Sequence, residues 1–107
     1  MTPQDLPKSV TVGGQTVRIV VAPLEEWGTY EHDARTITLA TDCLRKRSEL
    51  VSTLRHEMLH AALHIAGVSF MERYDEESIV RAIEQIYEPA WDRLRRRMNR
   101  CGSKPPK

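Results

Sequence analysis

The 107 residues are 40% apolar and 29% charged with a formal charge of +1, the make-up of one soluble globular domain with too little chain for a second core. One Phe, two Trp and three Tyr leave the core largely to aliphatic side chains, and no uncharged apolar run approaches the roughly 20 residues of a membrane span. Two distant cysteines, Cys43 and Cys101, without C-x-x-C spacing, support neither a disulfide scaffold nor a zinc ribbon and read as free thiols.

The leading "MTPQDLPKSV" has neither a basic n-region nor an apolar h-region, so a cytoplasmic protein with no membrane association is expected. In "VTVGGQTVRIVVAPL" the alternation of Val17, Ile19 and Val21 predicts β structure, with a turn at Gly13-Gly14 after a short first strand. A second β pair is expected in "WGTYEHDARTITLATD", where "TYEH" and "RTITLA" flank a turn at Asp33-Ala34 and Ile37 and Leu39 alternate with threonines. Together these segments predict a small antiparallel sheet of three or four strands.

From Ser48, read as an N-cap, to Gly67, read as the residue that ends the helix, no Pro or Gly interrupts "SELVSTLRHEMLHAALHIAG". A second helix is predicted from about Asp75 to Met98, with Ile79, Ile83, Ile86 and Ala90 on one stripe and Pro89 bending or dividing it. The fold class is therefore α+β, a sheet packed on two helices, in one domain over residues 1–100 with a disordered tail at 101–107.

The first of these helices contains H-E-x-x-H as His56, Glu57 and His60. Residues four apart on a helix stand about 40° apart and one turn above each other, so two imidazoles reach one metal ion. Most of this helix's circumference is apolar, and only Thr53, His56, Glu57, His60 and His64 form a polar stripe, which predicts a buried stripe needing partners such as Zn2+. Glu57 follows the first histidine too far round the helix to join both imidazoles on the ion, and is placed instead to act as general base toward a water. His64 lies about 12 Å along the axis from His56 and is not expected to share their ion. Longer zinc motifs reach a third histidine through a helix-ending glycine, and Leu63 stands at that position here. His64 is read as a pocket-wall or helix-end residue.

A His₂-carboxylate site takes its third ligand from another element, and "MERYDEESIV" offers Glu72, Asp75, Glu76 and Glu77. Carrying the helical wheel of residues 79–94 backwards sets Glu76 in line with Val80 and Ile83 on the core-facing stripe and Glu77 well away from it. Glu76 is the better placed, although acids are favoured in any first helical turn.

"GTYEHDARTITLATD", "TLRHEMLHAALH" and "DEESIVRAIE" resemble the strand pair, active-site helix and third-ligand helix of the small gluzincin-like metallopeptidases of phages and mobile elements, of the ImmA/IrrE type and their minimal zincin relatives. The resemblance covers roughly residues 17–90 and implies His56, His60 and Glu76 as zinc ligands, Glu57 as catalytic base, and a protein or peptide substrate. It also implies that "RTITLA" is the sheet edge that receives an extended peptide, with Tyr30, His32, Tyr74 or Arg81 as candidate oxyanion donors. No helix-turn-helix or sensor segment accompanies these motifs. Two other readings stand beside the peptidase: a catalytically silent zinc-binding adaptor, and a nucleic-acid or assembly factor using the basic end. Residues 91–107 hold seven Lys/Arg against one Asp and leave residues 1–90 at −5, but without interleaved aromatics such a run reads as a solvated helix face, and nucleic-acid binding is not expected.

Overall fold

A computed structural model describes residues 5–71, 73 and 75–102, with the backbone alone for residues 100–102. Four strands, β1 (Ser9–Val12), β2 (Gln15–Ala22), β3 (Gly28–Glu31) and β4 (Thr36–Ala40), form one sheet in the order β1-β2-β4-β3. Gly13 and Gly14 both take positive φ, 55° and 80°, the conformation that a two-residue hairpin turn requires to match strand twist. In β2, Val17 and Ile19 are buried while Thr16 and Arg18 face outward, so the alternation read from the sequence does set the core face.

The sheet is mixed rather than antiparallel. β1 pairs antiparallel with β2 and β3 with β4, but β2 and β4 run parallel, with Ile19 beside Ile37 and Val21 beside Leu39. The chain between them, residues 23–35, is long enough for a parallel return and carries β3 as its outer leg. The inner place goes to β4 because Ile37 and Leu39 are wholly buried, whereas "GTYE" of β3 is mainly polar and suits an edge. The expectation that "RTITLA" forms the cleft edge is thereby corrected: β4 has a strand on both sides, and β3 is the edge next to it, with β1 at the opposite edge.

A short 3₁₀ turn, Thr41–Arg45, leads into α1 (Arg47–Ile65). Its N-cap is Lys46, with no side-chain cap, rather than Ser48. Gly67 ends it as expected: its φ is +83° and its N–H donates to the His64 carbonyl at 3.0 Å. Leu50, Leu54, Met58 and Ala61 bury the apolar face of α1 against the sheet, where they meet Val12, Val17, Ile37 and Leu39.

The predicted second helix is divided into three. α2 (Glu76–Arg81) is capped by Asp75, whose carboxylate accepts from the Glu77 N–H at 3.4 Å and from the Ser78 hydroxyl at 3.1 Å. A π-helical segment, Ala82–Tyr87, follows, in which the Glu88 N–H reaches back five residues to the Ile83 carbonyl. α3 (Glu88–Gly102) then buries Ala90, Leu94 and Met98. Pro89 lacks an N–H and would press on the carbonyl four residues earlier, and the wide turn lies directly before it. α3 continues two residues into the segment expected as tail, and residues 103–107 lie outside the described chain. The whole is an α+β layer pair, one sheet face covered by helices. Among the described residues no helix is long and apolar enough to cross a membrane.

Candidate active site

β3 runs alongside the polar stripe of α1. At its start, a Cβ built on Gly28 would lie 2.7 Å from Thr53 Cγ2 and 3.5 Å from Glu57 Cγ. At its far end Tyr30 and His32 meet His64, with ring centroids 5.7 and 4.9 Å away. The stretch of α1 holding Glu57 and His60 therefore lies beside the sheet edge, and glycine at position 28 is what permits so close an approach of strand and helix.

His56 and His60 are neighbours in space, their ring centroids 4.8 Å apart and their planes nearly perpendicular. Both are exposed, and this departs from the buried stripe expected. The stripe is graded instead: Glu57, on the side toward β3, is only 6% exposed and is the one charged residue buried in the described core. Its carboxylate has no hydrogen bond or ion pair to another described residue, and it lines a cavity of ≈340 Å³ together with His56, Trp27 and Gly28. A nearly buried carboxylate without a partner is costly to hold unless something offsets its desolvation. On the other flank His56 borders a larger recess of ≈520 Å³ between α1 and the π-helical segment, floored by Val51, Leu59 and Ile83. Arg55 and Tyr87 close that side with a 3.3 Å hydrogen bond.

Glu76 opens α2 on the exposed surface rather than on a core-facing stripe, and Val80 in the same line is 39% exposed. The π-helical segment explains the difference, because each i→i+5 turn takes an extra residue and a stripe extrapolated across it at 3.6 residues per turn loses phase. Glu77 is exposed as well and pairs with Arg81 at 3.6 Å. Among the described residues no three His, Cys, Asp or Glu side chains are gathered as a ready metal-binding group; Glu72 lies outside them. The structure thus brings together His56, Glu57 and His60 and leaves Glu76 apart from them. The chemistry of the pair suits a divalent ion such as zinc, for which adjacent exposed imidazoles supply two of the usual ligands.

Beyond His60 the stripe ends in an aromatic cluster of His64, His32, Tyr30 and Phe70. Tyr30 Oη and His32 Nδ1 are 2.8 Å apart, and burial raises the Tyr30 pKa against a smaller opposing pull from Arg35, so the phenol stays protonated. Of the candidate oxyanion donors, Tyr30 and His32 are thus bonded to each other, Arg81 is paired with Glu77, and Tyr74 lies outside the described residues. His64 Nδ1 is buried without a hydrogen-bond partner. Burial first, then the neighbouring His32 and His60, lower the His64 pKa from 6.5. The unfolded chain therefore binds a proton that the folded chain resists, and stability present above about pH 6.5 is lost as pH falls through the folded pKa. Thermal unfolding followed from neutral to mildly acidic pH is expected to show this fall, and His64→Phe to flatten it; an unchanged slope in the variant contradicts the assignment.

Sequence reading missed Trp27 and Gly28 as site residues. The signal for Gly28 was present, since a lone glycine at a strand position marks a close backbone approach. Trp27 carried none, and its place depends on the loop before β3. No family profile, curated protein or solved structure matches the chain.

Proposed function

We propose that the chain is a zinc-dependent peptidase of the minimal zincin type, in which His56 and His60 hold the ion and Glu57 is the general base. The observation that carries this reading is Glu57 itself, buried, without a hydrogen bond or ion pair to another described residue, and opening into a cavity that the first histidine of the pair also lines. Zinc, when bound, supplies Lewis acidity that polarises a carbonyl and acidifies water.

The rest of the chemistry belongs to the chain. The Glu57 carboxylate takes a proton from the attacking water as its oxygen adds to the peptide carbonyl carbon, then delivers that proton to the departing amine as the C–N bond breaks. The exposed edge β3, beside the same stretch of α1, offers main-chain groups along which an extended peptide is held, in place of β4.

Glu76 is proposed as the third protein ligand, a carboxylate from the element after the active-site helix, and it requires α2 to bring its first turn to the histidine pair. Metal analysis of the purified protein tests both levels. Stoichiometric zinc is expected in the wild type and its loss in His60→Ala; zinc retained in His60→Ala overturns the site. Zinc retained in Glu76→Ala removes Glu76 from the ligand set and leaves the pair.

A further inference from the structure

The cavity that Glu57 opens into continues away from the histidine pair. Its floor is one face of α1, where Glu49, Thr53 and Glu57 follow each other at intervals of four residues, so its two glutamates are rooted about 12 Å apart along the axis. Its wall is Trp27, 51% exposed. The main chain that carries it is anchored, because the Trp27 carbonyl accepts the Ala40 N–H at 2.8 Å and ties the loop to the end of β4. Among the described residues no Lys or Arg lines the cavity, and neither the Glu49 nor the Glu57 side chain has a hydrogen bond or ion pair to another of them.

We propose that this trough is a specificity subsite that takes a lysine or arginine side chain of the substrate, its methylenes against Trp27 and its cation on Glu49. The proposal rests on the peptidase reading above. The elements argue for one class of occupant. A short acidic side chain meets two carboxylates and is repelled. An aliphatic one covers the indole but leaves Glu49 desolvated and unpaired. A long cation does both tasks, because its stem packs on apolar surface while the head group reaches the far carboxylate, and a cation near the indole face is drawn by the ring quadrupole. The separation of the two glutamates matters: the cation is taken up at Glu49, a distance from the base, so Glu57 stays free to accept a proton.

Two measurements test the assignment and separate it from the reading beneath it. The first uses quenched peptides identical except for Arg, Leu or Glu beside the scissile bond. Arg is expected to exceed Leu in kcat/KM by about tenfold, the equivalent of one well-made ionic and cation–π contact. Glu49→Lys is expected to reverse the order in favour of Glu. Equal rates for Arg and Leu, or a ratio unmoved by Glu49→Lys, overturn the subsite while leaving the peptidase. The second needs no catalysis: the fluorescence of Trp27, in a Trp91→Phe background, is followed on adding Nα-acetyl-arginine amide or Nα-acetyl-norleucine amide. A response to the arginine compound alone, lost in Glu49→Gln, supports the subsite even if no peptide is cut, in which case it is the peptidase reading that falls. No response, or one shared by norleucine, overturns the subsite.

Discussion

Glu57→Gln is expected to abolish peptide cleavage while leaving zinc bound and the fold intact. Glutamine keeps the shape of the side chain between Gly28 and the histidines but cannot accept a proton at neutral pH, so the loss falls on the proton-transfer step, about 10²- to 10⁴-fold. Stability should not suffer. Glu57 is buried without a hydrogen bond or ion pair to another described residue, and replacing an unpaired buried carboxylate by a neutral amide removes a desolvation cost. Peptidase assays, zinc content and thermal unfolding on the same preparation read all three parts. Cleavage at the wild-type rate ends the general-base assignment. Loss of zinc with loss of activity makes Glu57 a ligand instead, and a wild type that binds zinc but cuts no unstructured peptide returns the chain to the silent-adaptor reading.

Gly28→Ala is expected to cause the larger structural damage, although it adds a single methyl group. That carbon would stand 2.7 Å from Thr53 Cγ2 and 3.3 Å from the Thr38 carbonyl oxygen, so either the start of β3 moves off α1 or the helix yields. Overpacking of this kind costs about 1–3 kcal/mol, and in a domain of this size each kcal/mol lowers Tm by roughly 4–8 °C. Activity falls too, since Glu57 packs at the same point of contact. The clash names its own remedy: Thr53→Ser removes the Cγ2 methyl and keeps the hydroxyl, so the double variant should regain the greater part of the lost stability. The two substitutions are then coupled rather than additive. A Gly28→Ala protein with wild-type Tm would mean that strand and helix are not pressed together there.

These two positions also show where the sequence was informative. α1 was legible because an uninterrupted run with an apolar face and a terminal glycine leaves few alternatives, and Gly67 closes it as read. The two hairpins were legible through Gly13-Gly14 and the alternation around Ile37. How the hairpins dock was not, because which strand goes inside depends on contacts with α1 that lie far along the chain, and the parallel β2–β4 pairing follows from that choice. The histidine pair could be read from spacing alone, since four residues on a helix fix their proximity. The burial of Glu57 could not, because it depends on an edge strand that only tertiary packing brings over. The wheel that set Glu76 on the core face assumed uniform winding, and Ala82–Tyr87 break it; Pro89 announced an interruption but not its width.

That broad turn has a geometric corollary. One amino acid subtends roughly 100° about a regular helix, so excising a single residue from Ala82–Tyr87 and restoring even winding would swing everything ahead of it round by a comparable angle. Ala90, Leu94 and Met98 are clamped in the interior, so the part free to revolve is α2, carrying Glu76 and Glu77 like teeth on a dial while His56 and His60 stay still. The bearing of those two acids toward the imidazoles is thus governed by residue count inside one loop of backbone, and a deletion with no side-chain chemistry of its own would reset it.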